Sequence, residues 1–305
     1  MSLESQPPSR PLRIAVAQYE PRIGDTRHNL EAAVRWTRAA AEAGAQLAVL
    51  PELATSGYAF DSEEEAERLA ELPGDGGVTA ALTEVCRSAE MHVVVGVDER
   101  DPRGGRHNSA AVVGPVGVLA VYRKLHLFHD EQSWFAPGEE LPVVDLPWGR
   151  LGMIVCFDIW FPEPTRALAL AGAEVIACPT NWVASFKRTV YDERGWCQGD
   201  YMAVARAAEN GAVLACADRI GEERGLRFLG ASIIVDSDGW PVAGPAPTDS
   251  EALLVADVDL AGVERARQRT PRNNLLGDRR SAYPVSTVDA AKSAARASAG
   301  ASRQP

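Results

Sequence analysis

The segment LGMIVCFDIWFPE, residues 151–163, joins an apolar run to a helix start, with a cysteine at the junction. Leu151 to Val155 reads as a buried strand. Pro162 and Glu163 open a helix, because proline fits the first turn and an acid complements the N-terminal end of the dipole. Cys156 therefore stands where a rigid strand gives way to a turn, and backbone N–H groups there point at whatever the sulfur attacks. A cysteine after an apolar run is also often just a small buried hydrophobe, so the segment alone leaves a packing role and a catalytic role both open.

Toward the N-terminus, a loop at about 125–141 carries His126, His129, Glu131 and Trp134, and a loop that long inside a compact domain is often functional. Before it, NSAAVVG and VLAVYRK read as two strands around Gly114-Pro115-Val116-Gly117, a β-hairpin. Earlier still come a strand in MHVVVGV, helices at about 61–71 and 77–90, and the apolar strand AQLAVLPE at 45–52. A helix with Leu30, Ala33, Val34, Thr37 and Ala41 at helical spacing stops at Gly44, and RIAVAQYE at 13–20 is the first strand. Toward the C-terminus, a strand at 174–179 leads through TNWVASFKRTVYDE to a helix at about 193–209. Strands near 212–217, 228–236 and 252–258 follow, with Asp238-Gly239 predicted as the hairpin turn between the last two, and then a short helix at about 260–269. Alternating strands and helices interspersed with hairpins predict an α/β sandwich with mixed sheets and helices outside. One domain is expected over 11–285, with a disordered lead-in at 1–10 and a disordered or extended tail at 286–305.

Composition narrows the function. Lys plus Arg number 31 against 42 Asp plus Glu, for a formal net charge of −11, and no basic block interrupts the acidic balance. Nucleic acid and anionic membrane are poor partners for such a chain. The N-terminus lacks the apolar core of a signal peptide and no apolar run reaches a membrane span. Five cysteines with no CxxC pair fit a reducing cytoplasm better than a disulfide framework. The five histidines form no HExxH pattern, and QYEPRIGD after the first strand lacks the GxGxxG of a dinucleotide site. Neither a metal nor a cofactor is expected.

Three buried runs end in chemically active residues: the second strand at Pro51-Glu52, the hairpin at Lys124, and the 151–155 run at Cys156. Strand ends of an open sheet are where sites assemble. PELATSGY around Glu52, YRKLHLF around Lys124 and CFDIWFPE around Cys156, with FAPG after Glu131 and DRRSAYP near the C-terminus, together resemble the nitrilase superfamily of carbon–nitrogen hydrolases, in that family's order and over about 13–284. The resemblance implies an αββα sandwich, sheet-to-sheet pairing in a homodimer or higher homo-oligomer, a Glu52–Lys124–Cys156 triad, and Glu131 as a second glutamate.

Those residue types suit amide hydrolysis. Cys156 is the nucleophile and Glu52 the base that moves its proton to the leaving nitrogen. Lys124 and the Phe157 N–H would hold the oxyanion, while Glu131 orients Lys124 or the substrate. His126 reads as a hydrogen-bonded positioning residue. Cys156-Phe157-Asp158 resembles the amidase form rather than the Cys-Trp-Glu of true nitrilases, and Ile159 and Trp160 stand where carboxylate-binding branches often place arginine. Tyr58, Phe128, Trp134, Trp160, Asn181 and Trp182 are candidate pocket residues; Lys187 and Arg188 could still recruit an acid. The expected substrate is a small aliphatic amide, cleaved with release of ammonia. N-carbamoyl amines, then nitriles, are the alternatives, and a catalytically silent binding module on the same fold is the non-enzyme alternative.

Overall fold

The computed structural model describes residues 8–75, 77–184, 190–280 and 282. Most of the expected lead-in, the whole 286–305 tail, Lys187, Arg188 and part of the DRRSAYP block lie outside these residues. Arg10, assigned to the lead-in, is held in place: its side chain pairs with Glu174 at 2.7 Å and its N–H donates to Asp259.

The first half of the chain runs β1 (Pro11–Gln18), α1 (Thr26–Glu42), β2 (Leu47–Val49), α2 (Glu63–Leu69), α3 (Gly77–Ala89), β3 (His92–Arg100), β4 (Arg106–Gly114) and β5 (Gly117–Arg123). The second half runs α4 (Glu131–Trp134), β6 (Val143–Leu146), β7 (Gly149–Met153), a 3-10 turn (Cys156–Trp160), α5 (Pro162–Leu170), β8 (Val175–Pro179), α6 (Gln198–Asn210), β9 (Val213–Ala217), a small hairpin of β10 (Glu222–Glu223) and β11 (Leu226–Arg227), β12 (Ile233–Val235), β13 (Pro241–Ala243), β14 (Ala252–Asp259) and α7 (Ala261–Arg267).

Two six-stranded sheets result, in the orders β14-β1-β2-β3-β4-β5 and β13-β12-β9-β8-β7-β6. Each has three parallel strands at its centre and antiparallel strands outside them. The alternation within β1 shows how the layers form. Ile14 and Val16 join Leu151, Met153, Val175 and Val213 in the core between the sheets, whereas Ala15 and Ala17 pack beneath Ala33 and Ala40 of α1 and Leu82 of α3. Because both faces of the central strands are covered, their sequences read as continuous apolar runs. Helices α5 and α6 contribute Leu168, Ala203 and Ala207 to the core on the side of the second sheet. The α/β sandwich expected from the alternation of elements is the fold observed.

Several boundaries differ. Asp238-Gly239 turns the chain from β12 into β13, not toward β14. β14 instead crosses to the first sheet and pairs with β1 from Pro11↔Asp259 to Gln18↔Ala252. The sequence offers only a local turn signal; partnership across sheets is a tertiary choice. β6, four residues long, lies between the 125–141 loop and β7 and has no counterpart in the sequence expectation. The ladder of β7 stops at Met153, and the predicted strand continues to Cys156 as buried chain, with the Ile154 N–H donating to Ala177 O at 3.0 Å. The helix expected from about 193 begins at Gln198. Among the described residues, no helix is long and apolar enough to cross a membrane.

Candidate active site

Three strand ends converge. Beyond β2, Leu50 N–H bonds Val94 O, and Pro51 O accepts from Gly96 N–H at 3.1 Å. A Cβ at Gly96 would stand 2.4 Å from Leu53 N and 2.5 Å from Glu52 Cα, so glycine is what lets β3 pass directly under the glutamate. Lys124 follows β5; its N–H bonds Asn108 O and its carbonyl accepts from Gly138 N–H. Cys156 opens the 3-10 turn with φ +45°, a left-handed conformation unusual for a side chain with a Cβ. The Phe157 N–H lies in the first turn of that short helix, where N–H groups have no intrahelical acceptor.

Lys124 Nζ is fully buried between two carboxylates, 2.7 Å from Glu52 Oε1 and 2.8 Å from Glu131 Oε1. Burial works against its charge, but Glu131 and Glu52 outweigh it and hold the ammonium well above the usual lysine range. Glu52 Oε1 also accepts from Asn108 Nδ2 at 2.7 Å, whereas Glu52 Oε2 is buried with no partner among the described residues. One oxygen is thus fixed by two donors and the other has a free lone pair for a proton. Glu131 is fixed in turn by Tyr58 OH at 2.8 Å and by the Phe128 N–H at 3.2 Å. Burial raises its pKa above the ordinary carboxylate value, with Lys124 pulling it back down.

The Cys156 thiol is pushed well above its ordinary pKa by burial and then by Glu52, with Lys124 opposing and Glu131 adding to the rise. That direction favours the thiol over the thiolate at this sulfur. For such a sulfur to act as a nucleophile its proton would have to leave, and a carboxylate with an open oxygen suits that transfer.

Cys156 lines a cavity of about 300 Å³ with Phe128, Phe157, Trp160, Asn181, Trp182 and Leu229 among its walls. Asn181 Nδ2 donates to Glu52 O at 2.9 Å, which leaves its buried Oδ1 as an unpartnered acceptor. Trp160 and Trp182 meet edge to face, 6.2 Å between centroids. Two of the expected pocket residues stand elsewhere. Tyr58 and Trp134 line an adjoining cleft of about 250 Å³ that shares Phe128 and Val183 with the cavity. The Tyr58 hydroxyl is committed to Glu131, and Trp134 on α4 packs edge-on against Phe60.

Residues that the sequence reading left out hold the frame. Asn108 ties both Glu52 and Lys124 to β4; it lies within the polar run Arg106–Ser109 that opens this strand, so nothing local marks it out. Asp158, fully buried, accepts from Tyr122 OH, the His126 N–H, the Val155 N–H and, as the hydrogen bond is oriented, His126 Nδ1, at 2.6–3.0 Å. It thereby clamps the turn at Cys156 to the end of β5. His126 stacks on Phe161 with centroids 3.9 Å apart and faces Asp158, a positioning geometry.

Comparison with known proteins assigns the family. Residues 13–268 match the carbon–nitrogen hydrolase family. A nitrilase of Pyrococcus abyssi is 37% identical over 273 residues, covering 89% of this chain and 98% of that protein. An (R)-stereoselective amidase of a Pseudomonas species is 32% identical over 84% of this chain and 88% of its own length. Among solved structures, a mutant of the amidase from Nesterenkonia sp. AN1, with the acetamide moiety of fluoroacetamide covalently added at its active-site cysteine, superposes with a TM-score of 0.70 at 30% identity, over 89% of this chain and 94% of that one. Family match, identity and fold extend over nearly the whole described chain, and it belongs to the carbon–nitrogen hydrolases of the nitrilase superfamily, enzymes of non-peptide C–N bonds.

Proposed function

We propose that this chain hydrolyses a small uncharged amide through a thioester on Cys156 and releases ammonia. One observation carries the reading. The cysteine coupled to the buried Glu52–Lys124–Glu131 cluster also lines an apolar cavity with no charged side chain among its described walls. Such walls favour a neutral acyl chain, since a carboxylate there would lose its hydration without gaining a partner.

The steps follow from the donors present. The thiol proton passes to the open Oε2 of Glu52 as sulfur bonds the carbonyl carbon. The new oxyanion lies against Lys124 Nζ and the Phe157 N–H; one such donor is typically worth about 3–4 kcal/mol. Collapse breaks the C–N bond while Glu52 returns the proton to nitrogen, and ammonia departs. Water then gives a proton to Glu52 and attacks the thioester; sulfur leaves, regains that proton, and the carboxylic acid is released.

Simple aliphatic amides, amino amides, ureido acids and nitriles, assayed side by side for ammonia, test the substrate class. Turnover of simple amides, lost in Cys156→Ser, is expected, with mass spectrometry finding the acyl adduct on Cys156. Turnover of nitriles alone, or an adduct on another residue, rejects the proposal. A second reading is favoured by the rings of Phe128, Phe157, Trp160 and Trp182 around one cavity, which suit an amine-bearing N-carbamoyl substrate. Carbon dioxide trapped in step with ammonia identifies it.

A further inference from the structure

The buried Arg219–Glu223 pair lies outside the machinery described so far, yet it touches the loop that carries Tyr58. Arg219 is fully buried, its Nη1 2.8 Å from Glu223 Oε1 in an ion pair that lacks hydrogen-bond alignment. The other oxygen, Glu223 Oε2, accepts from the Tyr58 N–H at 2.8 Å and the Ala59 N–H at 3.1 Å. Rings close the same contact. The Arg219 guanidinium lies 4.0 Å above Phe228, and Phe228 meets Tyr58 edge to face at 5.8 Å. Gly57, at φ +85°, lets the loop approach: a Cβ there would stand 2.3 Å from Ile23 Cα and 2.9 Å from Glu223 Oε1. The Tyr58 hydroxyl then donates to the Glu131 oxygen that also receives Lys124.

We infer that Glu223 is a positioning residue for hydrolysis, acting through Tyr58: it fixes that backbone so that the phenol holds Glu131, and with it Lys124, in register with Cys156. Arg219 pairs with the other carboxylate oxygen and keeps Glu223 turned toward the loop. This inference rests on the roles given above to Glu131 and Lys124. Inactivity of the native enzyme toward every amide and carbamoyl compound would remove that reading, whereas the inference here is decided by variants of an enzyme that does turn over.

Two paired variants separate positioning from simple stabilisation. Both remove the arginine, so neither leaves a buried charge unpaired. In Arg219→Met/Glu223→Gln the amide oxygen can still accept from the Tyr58 and Ala59 N–H groups, and kcat should stay within about threefold of native, as volume- and hydrogen-bond-conserving changes allow. In Arg219→Met/Glu223→Ala the acceptor is gone, and kcat should fall by about 10- to 100-fold, the scale of an ångström-sized misplacement, with KM nearly unchanged. Adding Tyr58→Phe to either pair should then equalise the two, since both act through that hydroxyl. Equal kcat in the two pairs overturns the inference. So does a persisting gap between them in the Tyr58→Phe background, or a loss confined to KM. Failure of the alanine pair to fold while the glutamine pair folds is met by Glu223→Gln alone. There Arg219 competes for the amide oxygen, and a kcat below that of the glutamine pair is expected; a kcat equal to it counts against the proposal.

Discussion

Glu131→Gln and Lys124→Met should move two readouts of the same site in different ways. Both remove charge from a cluster in which one ammonium lies within 2.8 Å of two carboxylates. Both should slow amide hydrolysis. In Glu131→Gln the amide oxygen can keep Lys124 and Tyr58, but the anionic acceptor is lost and the amide NH2 cannot accept from the Phe128 N–H, a loss of about 1.5–3 kcal/mol, or roughly 10- to 100-fold in kcat/KM if it is felt in the transition state. Lys124→Met leaves two buried carboxylates facing each other, costs about 3–5 kcal/mol of stability, and removes the donor proposed for the oxyanion. The thiol responds with opposite signs. Glu131 raises the Cys156 pKa and Lys124 lowers it. At a fixed pH below that pKa, Glu131→Gln therefore increases the thiolate fraction and Lys124→Met decreases it. Iodoacetamide labelling of Cys156, followed by peptide mass spectrometry, should run faster than native in the first variant and slower in the second, although both are poor hydrolases. If labelling and hydrolysis rise and fall together in both variants, the thiol is not governed by this cluster, and the case for a resting neutral nucleophile fails.

Other outcomes follow from particular contacts. Gly96→Ala should reduce kcat about 100-fold, because the new Cβ would press within 2.5 Å of the Glu52 backbone; native-like kcat in the alanine variant would contradict the packing argument. Asp158→Asn should destabilise the fold by about 3 kcal/mol in chemical denaturation, since an amide cannot accept all the donors that Asp158 now receives; an unchanged midpoint would show that the clamp is not structural. Burial pushes Asp200 up to about 7 from an ordinary 3.8. The folded state thus binds this proton more tightly than the unfolded chain, and the associated stability, complete below 3.8, is lost as pH rises toward about 7. Asp200→Asn should flatten the stability curve across that window, and a slope equal to native would refute the assignment.

Local sequence carried most of the order of strands and helices, β6 and β13 excepted, and the three residues that end buried runs. Both are local signals: apolar periodicity is written into consecutive residues, and an acid, a lysine or a thiol beside a buried run stands out within a few positions. Which oxygen of Glu52 is free, which cleft Tyr58 and Trp134 line, and which sheet receives β14 were decided by the tertiary structure. The physical reason lies in separation along the chain. Asn108 meets Glu52 across 56 positions and Glu223 meets the Tyr58 N–H across 165. A hydrogen bond leaves no periodic trace in either partner's neighbourhood, so an asparagine or a glutamate in such a role reads, in sequence, like any other polar residue until folding supplies its partner.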